Sequence, residues 1–298
     1  MNKYKVLIVG GSGFLGSHVA DVFSEKKHQV IIIDKSKSKW IRKDQKFING
    51  DILNPKKFFH ILKKVDYVYN FAAISDITDA NKDAEKTVEV NILGLVRLLE
   101  LCLKAKIKRY IHASTIYVSG KHGGFYKSSK LAAESYVKEF FKLKRLNYSI
   151  LRFGTLYGPR SDLNNGLHSL IKESLKNKKI SYSGNPDSMR NYIHIIDAAK
   201  VCEKALTDKE FKNQTVVISG PELFKIKEVL KIISEITGIK KIEYKKKNEL
   251  KKHTHYQVTP YSMLEEKNFA MKYSDKFNVD FGQGIQNLIS EIKTKYQL

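Results

Sequence analysis

Residues 4–27 read YKVLIVGGSGFLGSHVADVFSEKK, and the order of residue types in this stretch decides the fold. The first six residues are mostly apolar or β-branched, which is typical of a strand buried in a parallel sheet. The following glycines fit two overlapping patterns, G-x-x-G-x-x-G from Gly10 to Gly16 and G-x-G-x-x-G from Gly11 to Gly16, with Gly13 in both. Such glycines permit a tight turn, a close backbone approach to a pyrophosphate and close helix–strand packing. The stretch therefore predicts a dinucleotide site at the N-terminus of the following helix.

The next segment, QVIIID at 29–34, predicts a second strand that ends at Asp34. An acidic residue at that point can accept hydrogen bonds from both adenosine ribose hydroxyls, and it repels a 2′-phosphate. The sequence therefore favours NAD over NADP, although Lys35, Lys37 and Lys39 follow closely and leave NADP open. A lone glycine motif is weak evidence, but strand, glycine turn, helix, strand and aspartate in that order are strong evidence.

Strand and helix patterns alternate along the rest of the first half, which predicts an α/β fold with a doubly wound parallel (Rossmann) sheet. Further strands are predicted at 46–50, 65–73, 109–114 and 148–154, and helices at 55–63, at 84–104 and from 126 onward. The second half carries amphipathic helical patterns at 165–177, 226–238 and 282–295. We predict that these helices build a smaller C-terminal α/β lobe.

The composition is that of a globular protein of one large or two smaller domains, with 298 residues and 42% hydrophobic residues. The sequence has no internal repeat, no apolar run long enough to cross a bilayer, and no signal-peptide pattern at its start. Both cysteines, Cys102 and Cys202, lie in apolar helix-like stretches. We expect them to be reduced core residues of a cytoplasmic protein.

The formal net charge of +23 comes from lysines spread over almost every predicted helix, with one denser run at 240–252. Nucleic-acid sites usually concentrate arginine and aromatic residues on one face. The sequence therefore favours a solvated lysine-rich surface over an RNA-binding role, and we expect no nucleic-acid partner. A positive field would also attract a diphosphate-bearing substrate.

Within HGGFYKSSK at 122–130, Tyr126 and Lys130 stand four residues apart, so a helix would place them on one face. The spacing alone decides nothing, because a chain this rich in lysine contains a few such pairs by chance. Tyr117 and Lys121 form a second pair, but Gly120 interrupts it in a predicted loop. Other motifs in the sequence are therefore needed as context to decide which of the two Tyr–Lys pairs is the catalytic candidate.

Several ordered motifs supply that context. They are GGSGFLG at 10–16, GDI at 50–52, NFAA at 70–73, Asn91 within NILGLVRLLE, STIYVSG at 114–120, LRFGTLYGPR at 151–160 and RNYIHIID at 190–197. Together they resemble the extended short-chain dehydrogenase/reductase family, in its NAD-dependent nucleotide-sugar epimerase and dehydratase branch, which includes UDP-glucose 4-epimerase-like proteins. The resemblance covers most of the chain.

The resemblance implies a catalytic set of Thr115, Tyr126 and Lys130, which selects Tyr126 over Tyr117. The implied NAD contacts are Gly10, Gly13, Phe14, Leu15, Gly16, Asp34, Asp51, Ile52, Phe71, Ala72, Ala73, Asn91, Tyr126 and Lys130. The implied contacts to a nucleotide-diphosphate sugar are Ser75, Thr115, Thr155 and Arg190. Tyr126 would take the proton from a sugar hydroxyl, and we expect the nearby ammonium of Lys130, together with the positive charge of oxidised nicotinamide, to lower the phenol pKa.

The sequence departs from the family pattern in four places. Ser119 replaces a tyrosine, and only 11 positions separate Thr115 from Tyr126, so the cover over the substrate is expected to be shorter. Ile116 and Tyr117 stand where the 4,6-dehydratases carry Asp-Glu and the decarboxylases a glutamate, which argues against elimination and decarboxylation. The usual arginine–proline–glycine–aspartate segment is missing, and HTHYQVTPYSM at 253–263 occupies roughly its place.

Other residues that could suggest chemistry have simpler interpretations. His253 and His255 are two potential ligands without a nearby carboxylate or cysteine, so we expect no metal. His194 is expected to be a packed, hydrogen-bonded histidine, and Asp197 to cap the following helix.

By resemblance, residues 1–156 form the NAD-binding domain, to which 191–218 return. Residues 157–190 and 219–298 then form the substrate lobe. The helices at 84–104 and 126–143 are expected to form a homodimer interface, as they commonly do in the family.

Three functions fit the sequence. The first is an NAD-dependent nucleotide-sugar 4-epimerase, which oxidises C4 transiently and returns the hydride. The second is a nucleotide-sugar 4-reductase or dehydrogenase with net NAD(P) turnover, which needs the same three catalytic residues. The third is a catalytically inactive NAD-binding scaffold, which the intact Thr115, Tyr126 and Lys130 set disfavours.

Overall fold

The computed structural model describes residues 3–245, 270–273 and 277–298. Within them the strands are β1 (Lys5–Val9), β2 (Gln29–Asp34), β3 (Gln45–Asn49), β4 (Tyr67–Asn70), β5 (Arg109–Thr115), β6 (Tyr148–Phe153), β7 (Thr155–Tyr157), β8 (Ile180–Tyr182), β9 (Met189–Arg190), β10 (Tyr192–His194), β11 (Gln214–Ile218), β12 (Phe224–Lys225), β13 (Ile242–Tyr244) and β14 (Met271–Lys272).

The α-helices of the same residues are α1 (Phe14–Glu25), α2 (Phe59–Leu62), α3 (Ile77–Lys82), α4 (Ala84–Val88), α5 (Leu95–Ala105), α6 (Gly124–Lys144), α7 (Gly166–Asn177), α8 (Ile195–Thr207), α9 (Ile226–Thr237) and α10 (Phe281–Tyr296). A π-helical segment, Glu89–Gly94, joins α4 to α5. Short 3₁₀ turns cover Pro55–Phe58, Ile116–Ser119 and Lys209–Phe211.

The main sheet runs in the order β3-β2-β1-β4-β5-β6-β11-β14, and every neighbouring pair is parallel. The predicted doubly wound α/β fold is therefore confirmed. The direction of the strand order changes at β1, which pairs with β2 on one side and with β4 on the other. In such sheets the crevice beyond the carboxyl ends of the strands at this switch point binds the ligand.

Two apolar cores cover the two faces of the sheet. On one face α1 and α8 pack through residues such as Val19 and Cys202. On the other face α5 and α6 pack through residues such as Leu98 and Val137. Cys102 and Cys202 are buried and unpaired, which confirms the prediction that both are reduced core residues.

A third core lies among α7, α9 and α10, around the fully buried ring of Tyr157. Helix α9 shows why this lobe forms. Its buried residues Ile226, Val229, Leu230 and Ile233 recur at helical spacing and face the core. The three amphipathic helices predicted for the second half are thus present.

The structure differs from the sequence-based prediction at a few elements. The helix expected at 84–104 contains the π-helical segment, and β14 adds an edge strand to the main sheet from a region assigned to the smaller lobe. Pairing with β14 satisfies backbone groups of β11 that would otherwise form a sheet edge.

The predicted helix cap at Asp197 is wrong. Helix α8 begins at Ile195, and the residue that caps it is His194, whose Nδ1 accepts a hydrogen bond from the Ile196 amide at 3.4 Å. His194 is buried in edge contact with the ring of Tyr157, as expected for a packed histidine. The Asp197 carboxylate instead accepts hydrogen bonds from the backbone amides of 278 and 279 at 3.1 and 3.0 Å, which ties the approach to α10 to α8.

Candidate active site

A single cavity of about 1230 Å³ opens at the carboxyl ends of the central strands and extends toward α7 and α9. Most of the predicted site residues line it. These are Gly10, Gly13, Phe14, Leu15, Gly16, Asp34, Ile52, Phe71, Ala72, Ala73, Ser75, Thr115, Tyr126, Lys130, Thr155 and Arg190. The fold therefore gathers residues from more than 180 positions of the chain around one space.

The glycine turn is built so that side chains are excluded at two points. Gly10 has a φ of +81°, and a Cβ there would collide with the backbone of Ala72. A Cβ on Gly16 would collide with the carbonyl oxygen of Gly10, because α1 starts so close to the turn. Gly11 packs against Ile32 and is not among the cavity-lining residues. The pattern through Gly10 and Gly16 is thus the one that shapes the cavity.

The N-terminus of α1 faces this turn. Gly13 precedes the helix without a side-chain cap, and the first turn has no acidic residue. The amides of Phe14 and the residues after it carry the positive end of the helix dipole. This cradle fits the diphosphate of a dinucleotide.

Asp34 lies in the cavity at the end of β2, as the sequence predicts. Its carboxylate accepts hydrogen bonds from the amides of Ser12 at 3.0 Å and Ser36 at 3.4 Å, which fixes its orientation. The Lys35 ammonium next to it lies 3.1 Å from the carboxylate of Asp51. The charge of Lys35, one of the three lysines that follow Asp34, is therefore already paired and less available to a 2′-phosphate, which favours a cofactor without that phosphate.

Two predicted cofactor residues, Asp51 and Asn91, lie outside the cavity lining. Burial opposes the charge of Asp51, but hydrogen bonds from the Leu53 amide and the Lys35 ammonium outweigh it and lower the pKa of this carboxyl. Asn91 is buried, and its amide bonds both backbone groups of Ile74 at 2.8 and 3.0 Å. Asp51 and Asn91 thus contact the lining residues Lys35 and Ile74 from behind, and a direct cofactor contact stays a prediction.

The predicted catalytic residues come together from two elements. Thr115 is the last residue of β5, Tyr126 lies in the first turn of α6, and Lys130 follows one turn later. The Tyr126 phenol and the Thr115 hydroxyl share a hydrogen bond. The Lys130 Nζ donates to the carbonyl of Ala113 at 2.9 Å and lies 6.0 Å from the centroid of the Tyr126 ring. The structure thus assembles the set that the sequence predicts.

The protonation of this set differs from the expectation. Burial raises the pKa of Tyr126 to about 12, against the opposing effect of its hydrogen bond with Thr115. Burial lowers the pKa of Lys130 to about 8, while the nearby carboxylate of Glu134 works in the opposite direction. In the protein chain itself, burial therefore decides the phenol pKa, and the lowering expected from Lys130 is not observed. For Tyr126 to act as a base, its pKa has to fall, and this would require a further positive charge beside the ring.

A buried polar network behind the catalytic residues was not predicted. Glu134 accepts two hydrogen bonds from Arg152, at 2.9 and 2.8 Å, and one from the Ser114 hydroxyl at 2.5 Å. Arg152 also donates to the hydroxyl of Ser119 at 3.2 Å. The residue that replaces the family's tyrosine is therefore part of the network that surrounds Lys130.

Ser75, Thr155 and Arg190, the further residues predicted to contact the substrate, also line the cavity, and a direct substrate contact stays a prediction. Antiparallel pairing of β9 with β12 holds Arg190 in place, and its Nη1 donates to the carbonyl of Met189 at 2.8 Å. The sequence missed Tyr182, which lines the same region and whose phenol pKa burial raises while Arg190 opposes the shift. Its short strand β8 gives no motif that could have marked it.

No cluster of three or more potential metal ligands occurs in the part of the chain that the structure describes. His253 and His255, and the whole HTHYQVTPYSM segment at 253–263, lie outside the described residues. Among the described helices, none is both long and apolar enough to cross a membrane.

Residues 6–219 match the NAD dependent epimerase/dehydratase family, and the chain belongs to this family. Over 263 residues it is 29% identical to the uncharacterized UDP-glucose epimerase YtcB of Bacillus subtilis (strain 168), which covers 79% of this chain and 83% of that protein. It is also 29% identical over 267 residues to dTDP-D-glucose 4,6-dehydratase of Dictyostelium discoideum, with 77% of this chain and 62% of that protein covered. The relatives therefore include more than one reaction.

Among solved structures, the chain is similar to UDP-glucuronic acid 4-epimerase from Bacillus cereus in complex with UDP-glucuronic acid and NAD. The TM-score is 0.83 at 25% sequence identity, over 98% of this chain and all of that one. The class of protein is therefore that of the NAD-dependent, extended short-chain dehydrogenase/reductase enzymes that act on nucleotide sugars.

Proposed function

We propose that this protein is an NAD-dependent nucleotide-sugar 4-epimerase that oxidises C4 of the sugar transiently and restores it with the opposite configuration. The observation that carries the proposal is the hydrogen-bonded pair of Thr115 and Tyr126, one helical turn from Lys130, in the same cavity as the glycine turn. This arrangement joins a proton-transfer group to a dinucleotide cradle.

The cofactor assignment rests on the shape and charge of the nucleotide half of the cavity. The N-terminus of α1 would hold the diphosphate, and Asp34 would hold the adenosine ribose. Ile52 and the backbone of 71–73 would line the remaining walls. The bound nicotinamide would supply a reversible acceptor for the hydrogen on C4, together with a positive charge beside Tyr126.

The chain's own residues move the proton. The ring of Tyr126 is half-buried and its hydroxyl is already paired with Thr115, so a C4 hydroxyl between them would find both an acceptor and a donor. Tyr126 would accept the proton from that hydroxyl as the carbonyl forms and return it later. Thr115 would hold the oxygen throughout, and Lys130 would stabilise the phenolate.

The residues beside Thr115 favour epimerisation over elimination or decarboxylation. Ile116 is buried with 2% of its surface exposed, and Tyr117 is the residue of that 3₁₀ turn that lines the cavity. Neither side chain carries a carboxylate, so this turn lacks the carboxylic acid/base that the dehydratases and decarboxylases of the family carry at these positions.

We assign the substrate class as nucleotide-diphosphate sugars. Arg190 would bind the diphosphate, and the lobe formed by 157–190 and 219–298 would hold the base and sugar over the cofactor domain of 1–156 and 191–218. Uridine diphosphate sugars are tested first, because the similar B. cereus enzyme binds one.

The experiment measures released nucleotide from the denatured protein, then incubates native protein with UDP-, dTDP-, GDP- and CDP-sugars without added cofactor. We expect NAD in the released fraction and conversion between C4 epimers. Tyr126→Phe should lower kcat by roughly 10²- to 10⁴-fold. Tyr136→Phe, an exposed tyrosine on the same helix, is the matched control and should be fully active. Turnover that requires added NAD(P)H or NAD(P)⁺ would instead support the reductase or dehydrogenase.

We also propose a cytoplasmic homodimer that pairs through α4, α5 and α6. Apolar side chains are exposed at Val88 on α4, at Leu93 on the π-helical segment between α4 and α5, and at Leu131 and Leu143 on α6. Light scattering should give twice the mass of the chain, and a monomer at micromolar concentration would contradict the dimer.

A further inference from the structure

Much of the net positive charge of the chain lies at one edge of the main sheet. Six adjacent strands, in the order β2-β1-β4-β5-β6-β11, all begin at this edge because they are parallel. The segments that lead into these strands are 25–28, 3–5, 63–66, 104–108, 142–147 and 208–213. They contain 14 lysines and arginines against four acidic residues, and all 14 basic residues are exposed. We call these six segments the amino edge.

The opposite edge of the sheet, where the cavity opens, has no such excess of positive charge. The segments that follow β1, β2, β3, β4, β5 and β11 are 10–13, 35–40, 50–54, 71–76, 116–123 and 219–223. They contain four lysines against three acidic residues. A lysine-rich composition alone would give both edges a similar charge, so the two edges differ beyond what composition explains.

Hydrogen bonds join neighbouring loops of the amino edge into a row. The amide of Asp66 donates to the carbonyl of Lys5 at 2.8 Å, and the amide of Lys108 donates to the carbonyl of Asp66 at 2.7 Å. Farther along, Asn213 Nδ2 donates to Asn147 Oδ1 at 3.1 Å. Neighbouring strands lie about 4.8 Å apart, so six strand starts span about 24 Å. The cations are therefore carried on one broad, fixed edge.

Most of these cations are not neutralised by the protein. Lys108, Lys142 and Lys144 pair with carboxylates at 2.7–2.8 Å. The other basic residues of the amino edge form no ion pair with a residue that the structure describes. Two of them, Lys106 and Arg145, end α5 and α6 with φ values of 55° and 59°, a conformation that glycine adopts more easily. A helix dipole favours a cation there, but a cation at this position also keeps charge at the edge that glycine would not supply.

The residue types at the amino edge indicate the kind of partner. Of the 14 basic residues, 13 are lysine. Nucleic-acid sites use arginine for fixed hydrogen-bond geometry and exposed aromatic rings for stacking on bases. In these segments Tyr4 is half-buried and Phe211 is buried. Lysine ammonium groups act as point charges without a required geometry, which suits a surface of many mobile anionic head groups.

We propose that the amino edge binds the surface of a membrane that contains anionic lipids. The attachment is peripheral and electrostatic, and it acts over about 10 Å at 0.1 M salt. Because the cavity opens at the opposite edge of the sheet, a molecule bound in this way keeps its active site open to substrate. The inference uses no residue of the cavity, so it holds or fails independently of the proposed reaction.

The test is sedimentation of the protein with vesicles at 100 mM NaCl. The vesicles contain either one part phosphatidylglycerol to two parts phosphatidylcholine, or phosphatidylcholine alone. We expect binding to the mixed vesicles only. A combined variant removes one lysine from each of four loops, by Lys26→Gln, Lys64→Gln, Lys106→Gln and Lys212→Gln. Its partition coefficient should fall by about tenfold or more.

The matched control removes four exposed lysines elsewhere, by Lys176→Gln, Lys178→Gln, Lys231→Gln and Lys240→Gln. It loses the same net charge, and its partition coefficient should stay within about twofold of the wild-type value. Equal losses in the two variants would overturn the proposal, because net charge rather than the amino edge would then drive binding. Wild-type binding that does not depend on phosphatidylglycerol would overturn it as well.

A second measurement uses the wild-type protein and needs no variant to fold. Amine acetylation followed by mass spectrometry should show Lys64 and Lys106 protected on the mixed vesicles, with Lys176 and Lys240 labelled as in free protein. Uniform protection, or none, would contradict the assigned orientation. Duplex RNA at an equal phosphate concentration should leave the protein on the vesicles, and displacement by this RNA would replace the membrane with nucleic acid as the partner.

Discussion

The buried ion pair between Glu134 and Arg152 allows a sharp prediction about stability. The two side chains are 1% and 5% exposed, and two hydrogen bonds join them in a bidentate arrangement. Ser114 donates a hydrogen bond to Glu134, and Arg152 donates one to Ser119. Because desolvation is already complete, removal of the Glu134 carboxylate should leave the buried guanidinium of Arg152 without the two charged hydrogen bonds that join it to this residue.

The change is Glu134→Gln, which keeps the shape and removes the negative charge. Breaking a buried pair from one side costs about 3–5 kcal/mol. Unfolding entropy near the midpoint is about 2.1 cal/mol/K per residue, so a chain of 298 residues has roughly 0.6 kcal/mol/K. We therefore expect Tm to fall by about 5–8 °C.

Thermal unfolding followed by circular dichroism tests this, with Glu139→Gln as the matched control. Glu139 lies on the same helix and pairs with Lys142 at 2.8 Å, but both side chains are largely exposed. Exposed pairs of this kind contribute about 0.5 kcal/mol or less, so Tm should move by less than about 1 °C. Equal, small decreases in Tm in the two variants would refute the reasoning, because burial would then have no effect on how much an ion pair contributes to stability.

Two further variants test the glycine turn and the buried lysine. In Gly16→Ala, the new Cβ collides with the carbonyl oxygen of Gly10, so we expect the protein to lose its bound dinucleotide. The assay measures the nucleotide released on denaturation of equal amounts of folded wild-type and variant protein. Full retention of the dinucleotide would contradict the close packing of the turn. In Lys130→Met, activity should be lost while stability rises, because the pKa of Lys130 falls from 10.5 to about 8 on folding. Below pH 8 both states hold the proton and burial of the charge costs up to about 3 kcal/mol, and this cost disappears as pH rises from 8 to 10.5. Denaturant titrations should therefore show a higher free energy of unfolding for Lys130→Met than for the wild-type protein at pH 7 but not at pH 10.5. An equal increase at both pH values would contradict the assignment of the cost to the buried charge.

The parts of the site that can be predicted from the sequence are those whose residues lie close together along the chain. The turn from Gly10 to Gly16 and the pair Tyr126 and Lys130 are both local patterns, whose spacing fixes which residues share a turn or a helix face. The doubly wound parallel sheet follows in the same way from strand and helix periodicity. These features need no knowledge of which distant residues meet.

The remaining features depend on contacts between distant parts of the chain. Glu134 and Arg152 are 18 residues apart on a helix and a strand, and nothing in either segment marks them as partners. The position of β14 depends on pairing with β11, more than 50 residues earlier. Asp197 has the residue type of a helix cap, but α8 begins two residues before it and its carboxylate accepts hydrogen bonds from the backbone at 278 and 279. In each case tertiary contacts override the local preference.

The network behind the catalytic residues also gives a physical reason for Ser119. Lys130 has to be charged to stabilise a phenolate, yet burial lowers its pKa to about 8. The carboxylate of Glu134 opposes that loss of charge. Arg152 fixes the position of this carboxylate through two charged hydrogen bonds, and the small hydroxyl of Ser119 accepts a further hydrogen bond from Arg152. Ser119 therefore helps to hold the carboxylate that favours the charged form of Lys130, and a charged Lys130 would stabilise a phenolate on Tyr126.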